Sequence, residues 1–414
     1  MFLIISLLLA LFIPTKASCH TTHYKQFNMD PADITAVLND NTQYAAPALT
    51  STPTDICFGC ADVKYDHGVF KIVECGDGIY MSLRAADVIM NNNIYNLVAP
   101  YWGLLWHFLA QFKLPIWLVE SIYNKNALAI DTSKKLGVRF MPSFEALEKD
   151  AAFQMAMAKN SNAGIIVFAA SPLKEHHRDG ATYKAFRKKY PQFICLNSTT
   201  RDYLKKKDAT YQLFQRAGLS HFVPTFGIFS TKYNPTTTTK IKALLPDSEL
   251  IVIKPTYSSL SCGVNVIEAD QLDSFLKLIL QTPHNIPDCT HRGLSFWRNT
   301  KQAHFVASEY VPSQTIYKDG KPYDPTMRMV YIMYHDQGVI RVNILGGYWK
   351  IPVKPLNANK ANHTAKHVTI AHAGDYFSFG QILEHKESLR MKQVMAPVLA
   401  KAYEQMLLLG KNNE

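Results

Sequence analysis

Ile253-Lys254-Pro255-Thr256-Tyr257-Ser258-Ser259-Leu260-Ser261-Cys262-Gly263-Val264 takes a lysine out of an apolar run, Leu250 to Ile253, into a loop of small residues. Such a loop can close over phosphates. Its backbone N–H groups face the oxygens while the ammonium supplies charge. A surface turn with a solvated lysine uses the same residue types, so the neighbouring segments decide between the two.

Upstream, Lys207-Asp-Ala-Thr210-Tyr-Gln-Leu-Phe-Gln-Arg-Ala-Gly218 reads as a helix from Lys205 to Arg216 stopped by Gly218, and Pro224-Thr225 opens the next strand. Asp270 to Leu280 reads as a helix with Asp270 as its N-cap. Downstream, Val306 to Val311 reads as a strand containing Ser308-Glu309-Tyr310-Val311-Pro312. Asp324-Pro-Thr-Met-Arg328 leads into a long hairpin from Met327 to Trp349 around His335-Asp-Gln-Gly338, with Lys350 just beyond it.

This order of motifs resembles the ATP-grasp superfamily. The family has glycines where this chain carries Ser258 and Ser261, and a Cβ there limits how closely the backbone approaches phosphate. The resemblance implies a mixed α/β (α+β) fold with ATP between two lobes. It implies that Lys207 and Lys254 meet the phosphates, together with the loop residues Ser258, Ser261 and Gly263. It makes Glu309, Tyr310 and Val311 the hinge that holds adenine. It casts Arg328 and Lys350 as the catalytic cations beside the transferred phosphate or acyl-phosphate, where a guanidinium fork suits developing negative charge. Both also read as exposed cross-strand charges.

In most ATP-grasp proteins the long helix is followed by two strands whose acids hold Mg²⁺. Here that helix, read from Gln381 to Leu409 with Gly410 after it, closes the sequence, and a matching pattern stands at the other end. Ala61-Asp62-Val63 and Ile72-Val73-Glu74 flank the turn Asp66-His67-Gly68. With a three-residue turn, Asp62 lies opposite Ile72, and Glu74 is its diagonal neighbour on the same face, about 7–8 Å away. With a two-residue turn Glu74 falls on the opposite face. The resemblance makes Asp62 and Glu74 the Mg²⁺ ligands, and the chain a circularly permuted ATP-grasp protein of the glutathione-synthetase kind. Two solvated acids on a hairpin would look the same. Gly76 stands where the family has Asn, and Asp77 is the substitute.

The remainder bounds the reading. The 414 residues are 47% hydrophobic and 19% charged, which excludes a disordered tail, a collagen-like chain and a small disulfide scaffold. The net charge of +11 favours anionic partners without choosing among them. Leu3 to Ile13 reads LIISLLLALFI, a signal-like core too short to span a bilayer alone. It is removed, or retained as an anchor with transient membrane contact, or the product of a mis-assigned start. A secreted or periplasmic location conflicts with a need for ATP. Seven cysteines without regular spacing form no disulfide framework. Cys57-Phe-Gly-Cys60 is a lone CxxC, read as small buried residues in preference to a redox pair. Tyr101, Trp102 and Trp106 stand at helical spacing and read as core before pocket.

The expected organisation is a signal-like segment at 1–18, an irregular lead-in at 19–55, the hairpin at 56–84, an α/β substrate domain at 85–199 and nucleotide-binding lobes at 200–414. The strand candidates of the substrate domain are Pro115 to Val119, Gly164 to Phe168 and Phe193 to Leu196. The expected activity is ATP-dependent ligation of a small-molecule carboxylate to an amine through an acyl-phosphate, with ATP and Mg²⁺ as cofactors and no specific nucleic-acid partner. The alternatives are an ATP-grasp small-molecule kinase, a nucleotide-binding pseudoenzyme, and a secreted basic protein that binds polyanions.

Overall fold

The computed structural model describes residues 42–45, 55–76, 105–106, 108–119, 134, 137–160, 162–168, 181–204, 206–258, 261–286, 292–358, 363–369 and 379–411. The signal-like segment, Asp77, Tyr101 and Trp102 lie outside them. Three strands come first: β1 (Thr42–Ala45), β2 (Asp55–Asp66) and β3 (Val69–Gly76). The β2–β3 turn is the two-residue His67-Gly68, with φ of 45° and 92°, and Asp66 pairs with Val69. Positive φ at both positions matches the right-handed twist of the flanking strands.

That turn corrects the three-residue one expected from sequence. Taken alone it would send Glu74 to the wrong face. A β-bulge reverses the effect: Val63 pairs with Ile72 but Asp62 pairs with Glu74, so Val73 is an extra residue on β3. The two carboxylates are therefore directly opposite each other, not diagonal neighbours.

The next layer contains β4 (Ile116–Val119), β5 (Arg139–Met141), α1 (Phe144–Glu148), α2 (Ala151–Met157), β6 (Gly164–Phe168), α3 (Ala181–Lys189) and β7 (Phe193–Cys195). The strands are parallel in the order β5-β4-β6-β7. Unbroken apolar runs such as Ile116–Val119 suit strands covered on both faces. Ser143 and Asp150 cap α1 and α2 through their side-chain oxygens.

A third region has α4 (Arg201–Leu204), α5 (Lys207–Arg216), β8 (Phe226–Ser230), α6 (Thr236–Leu244), β9 (Leu250–Pro255), β10 (Asn265–Glu268), α7 (Leu272–Leu276), α8 (Arg292–Arg298) and β11 (His304–Glu309). Gly218 ends α5 at φ +70°. α7 starts after Gln271, not Asp270, and continues as a π turn over Lys277–Gln281. The antiparallel sheet runs β10-β9-β11-β8. β11 stops at Glu309, two residues short of the expected end, so Tyr310 and Val311 belong to the connection that follows.

The last region has β12 (Ile316–Lys318), β13 (Lys321–Tyr323), β14 (Thr326–Asp336), β15 (Val339–Ile351), α9 (His363–His367), β16 (Phe379–Ile382) and α10 (His385–Lys411). Gln381 belongs to β16 and Gly410 to α10, so the closing helix begins and ends later than its apolar spacing suggests. The central sheet is ordered β1-β15-β14-β2-β3, with β16 also on β15. The N-terminal hairpin thus lies in one sheet with the long hairpin, and Asp62 pairs with Arg328.

The two faces of that sheet differ. Ala61, Val63, Ile72, Met327 and Trp349 form one core with Met391, Met395 and Tyr403 of α10. The other face changes character along β2. Ile56, Phe58 and Cys60 pack with Trp106 and with Leu118 and Ile165 of the parallel layer, whereas Asp62 and Lys64 on the same face are buried and polar. Cys57 and Cys60 join opposite cores and are not joined by a disulfide. Three residues apart on a strand, they face away from each other. Trp106 is core, as its spacing suggested.

Candidate active site

Where the central sheet turns polar, it faces the antiparallel β8–β11 sheet across a half-open cavity lined from both sides. Strand alternation supplies the walls. Val252 and Lys254 of β9 share a face, and their register partners on β11 are Ser308 and Val306. Asp62, Lys64 and Glu74 approach from the central sheet, Lys207 from the start of α5, Glu309 from the end of β11, and Tyr310 and Val311 from the connection that follows. Ser261, His367 and Thr369 complete the rim. Eight of the residues singled out in the sequence line this one cavity: Asp62, Glu74, Lys207, Lys254, Ser261, Glu309, Tyr310 and Val311. Ser258, Gly263, Arg328 and Lys350 are not among the lining residues.

The two lysines differ in their surroundings. Lys207 Nζ donates to the Ser258 carbonyl at 2.8 Å and to Ser258 Oγ at 3.2 Å, and lies 3.2 Å from Glu74 Oε1. Lys254 Nζ donates to Tyr211 Oη at 2.6 Å and reaches the Val73 carbonyl at 3.5 Å. That carbonyl belongs to the extra residue of the bulge, and Tyr211 Oη also donates to it at 2.8 Å. Among the described residues, no carboxylate lies within ion-pair distance of Lys254. Burial, reinforced by the Lys207 charge, brings its ammonium down to about 7.

Two described residues of the small-residue loop adopt positive φ. Ser261 has φ +57° and Gly263 φ +76°. Ser261 Oγ donates to the Thr369 carbonyl at 3.1 Å, tying the loop to the segment after α9. A Cβ at Gly263 would lie 2.4 Å from Pro255 Cγ, so glycine there serves packing as well as φ. The Gly263 carbonyl is taken by Asn265 Nδ2 and Trp297 Nε1, both at 2.9 Å.

Arg328 and Lys350 both converge on Asp62. Arg328 Nε and Nη2 donate to its two oxygens at 2.7 and 2.9 Å, and Lys350 Nζ donates to Oδ2 at 2.5 Å. Burial would raise the Asp62 carboxyl, but the two cations outweigh it and hold the group well below the usual carboxylate range. Burial and the nearby guanidinium push the Lys350 ammonium down despite Asp62. With both oxygens engaged, Asp62 does not form an open two-carboxylate cradle with Glu74. Among the described residues no group of three or more His, Cys, Asp and Glu side chains is placed to hold a metal ion. Neither Arg328 nor Lys350 is exposed, as a pair of cross-strand surface charges would be.

Glu309 Oε1 accepts from Lys71 Nζ at 2.9 Å and from the Thr225 N–H at 3.0 Å. Burial opposes its ionisation, yet Lys71 holds the carboxyl below its ordinary value. Lys71, Tyr211, Lys64, Asp324 and His367 are site residues that sequence reasoning did not assign. Strand alternation with Asp62 would have found Lys64. Asp324 stands in the Asp324-Pro-Thr-Met-Arg328 segment already noted, four residues before Arg328, and no local pattern marks Lys71, Tyr211 or His367.

No family model matches the chain, and no curated protein matches it. Several solved structures resemble it. Their fold is the ATP-grasp fold. D-cycloserine synthetase DcsG is 12% identical, with 72% of this chain and 82% of that one covered at a TM-score of 0.39. A putative gamma-glutamylcysteine synthetase from Methylobacillus flagellatus is 9% identical over 92% of each chain, at 0.42. D-alanyl-alanine synthetase A from Vibrio cholerae is 10% identical, with 70% and 81% covered, at 0.35. At these values the likeness bears on no activity, substrate or residue role of this chain. Among the described residues no helix is long and apolar enough to cross a membrane.

Proposed function

We propose that the protein is an ATP-dependent ligase that joins a small-molecule carboxylate to an amine through an acyl-phosphate. One observation carries the reading. Lys254 is buried in the cavity wall with no carboxylate partner among the described residues, beside a second lysine, where a polyphosphate would supply the missing negative charge. Val252, Val264 and Val266 offer an apolar slot beside the Glu309–Val311 connection for a flat base. The pairing of the N-terminal hairpin with β14 supports the permuted arrangement.

In this reading Lys207 and Lys254 bind the phosphates, and the Ser258–Gly263 loop lies over them. Arg328 and Lys350, anchored by Asp62, set a fixed positive potential beneath the transferred group. A divalent ion carried in with ATP would offset phosphate charge. Glu74 is the cavity carboxylate left to face it, because Asp62 is committed to its cations.

Calorimetric titration of Mg·ATP into the protein, with Lys254→Ala and Glu74→Ala alongside, tests the site. Saturable binding lost in Lys254→Ala is expected. Absence of binding by the folded wild type would sink the proposal. ADP release that requires a carboxylate and rises with an amine separates a ligase from a kinase.

A further inference from the structure

We propose that His367 is the general base that takes the proton from the attacking amine, oriented by Asp324 and Tyr310. The inference rests on the ligase reading and assigns a residue to its second step. His367 lines the same cavity as Lys207 and Glu74, with its side chain 8% exposed. Its Nδ1 lies 3.0 Å from Asp324 Oδ2 and 2.7 Å from Tyr310 Oη.

The partners decide the tautomer. Asp324 is buried and receives Lys64 Nζ at 2.8 Å and the Ser313 N–H at 2.8 Å. Burial would raise its carboxyl, but the Lys64 charge outweighs that and keeps it ionised. Tyr310 Oη donates to Asp324 Oδ2, and burial with Asp324 nearby pushes its own ionisation up, so it remains a phenol. Both neighbours of Nδ1 therefore present acceptor oxygens, and the ring proton resides on Nδ1. Nε2 keeps its lone pair, and no hydrogen bond from the described residues engages it. His363 lies parallel to the ring at 5.8 Å and is hydrogen-bonded through its own Nε2 to Glu268 Oε1 at 2.9 Å.

The chemistry needs such a group. An amine with a pKa of about 8 is mostly ammonium at neutral pH and has no lone pair to offer. Nε2 accepts the ammonium's first proton, which frees the lone pair. As the nitrogen then bonds to the acyl carbon and the acyl–phosphate C–O bond breaks, the second N–H proton leaves with the departing phosphate. The imidazolium formed is stabilised by Asp324, and the released inorganic phosphate or solvent water takes the proton in turn. Lys64 and Lys207 are cations and serve this step poorly, and in the ligase reading Lys254 takes up its proton against the phosphates.

The test compares wild type, His367→Gln and His367→Ala with Mg·ATP and each proteinogenic amino acid as carboxylate. The nucleophile is either hydroxylamine, which is largely unprotonated at neutral pH and arrives with its lone pair free, or a second amino acid. Expected is hydroxamate formation within about twofold of wild type in both variants, with amide formation reduced about 10²- to 10⁴-fold. Added imidazole should restore part of the amide rate in His367→Ala. Equal loss of both products, or an unchanged amide rate, overturns the assignment. A wild type that makes neither product with any carboxylate removes the ligase reading, and this inference with it. Mg·ATP titration of each variant reports whether its site is still folded.

Discussion

The Asp62 carboxylate meets the Arg328 guanidinium at two points, Oδ1 to Nε at 2.7 Å and Oδ2 to Nη2 at 2.9 Å, across directly paired residues of β2 and β14. A planar fork against a carboxylate is the strongest form of this contact. Lys350 makes the cluster a triad with one negative and two positive charges.

Removing Asp62 leaves two buried cations without their counter-ion. Asp62→Asn should lose about 3–5 kcal/mol of stability by urea denaturation. The sign with pH follows from a depressed carboxyl. Its contribution is present above the unfolded value near pH 4, and falls away as pH drops through the folded value. Glu74→Gln, beside Lys207 and partly exposed, should cost far less. Equal small losses in both variants would contradict the anchoring role.

Lys254 gives the opposite slope. Its ammonium has an ordinary value of 10.5 and a folded one of about 7. Between those limits the unfolded chain holds a proton that the folded chain has lost, so stability rises with pH across the window and levels off above it. Below pH 7 the lysine is charged in both states. Lys254→Met should flatten the slope and stabilise the protein at pH 6, while abolishing Mg·ATP binding. Denaturation curves from pH 6 to 10 check the first part.

Proton uptake on nucleotide binding follows from the same residue. Phosphates beside Lys254 favour its charged form, so Mg·ATP binding at pH 8 should draw a proton from buffer. Calorimetry in buffers of different ionisation enthalpy measures this directly. Binding without uptake would place the phosphates away from Lys254.

Gly263→Ala places a methyl group 2.4 Å from Pro255 Cγ at a φ of +76°. Backbone strain and clash should cost about 1–3 kcal/mol and weaken nucleotide binding through the displaced loop. An unchanged melting temperature and affinity would show that the loop has room to shift.

Tyr211→Phe removes the hydroxyl that joins Lys254 to the Val73 carbonyl. The loss should be about 1–3 kcal/mol, because a buried carbonyl and a buried ammonium each forfeit a partner. Equilibrium unfolding against wild type gives the value.

Sequence alone determined the elements whose causes are local. The strand before Lys254 is an apolar run, Gly218 stops a helix, and Gly338 falls in the turn of the long hairpin, where φ is positive. It also marked eight of the residues that line the cavity, among them Lys207, Lys254, Glu309 and Glu74, which motif order and strand alternation bring to one place. Tertiary structure decided the rest. The two-residue turn predicted the wrong face for Glu74, and the bulge at Val73 restored it, since one inserted residue reverses every later side chain on a strand. It showed Asp62 closed around two cations, which no spacing reports. Asp324, Tyr310 and His367 converge only after β14 and α9 are packed, and that proximity arises from contacts between segments that have no pattern in common.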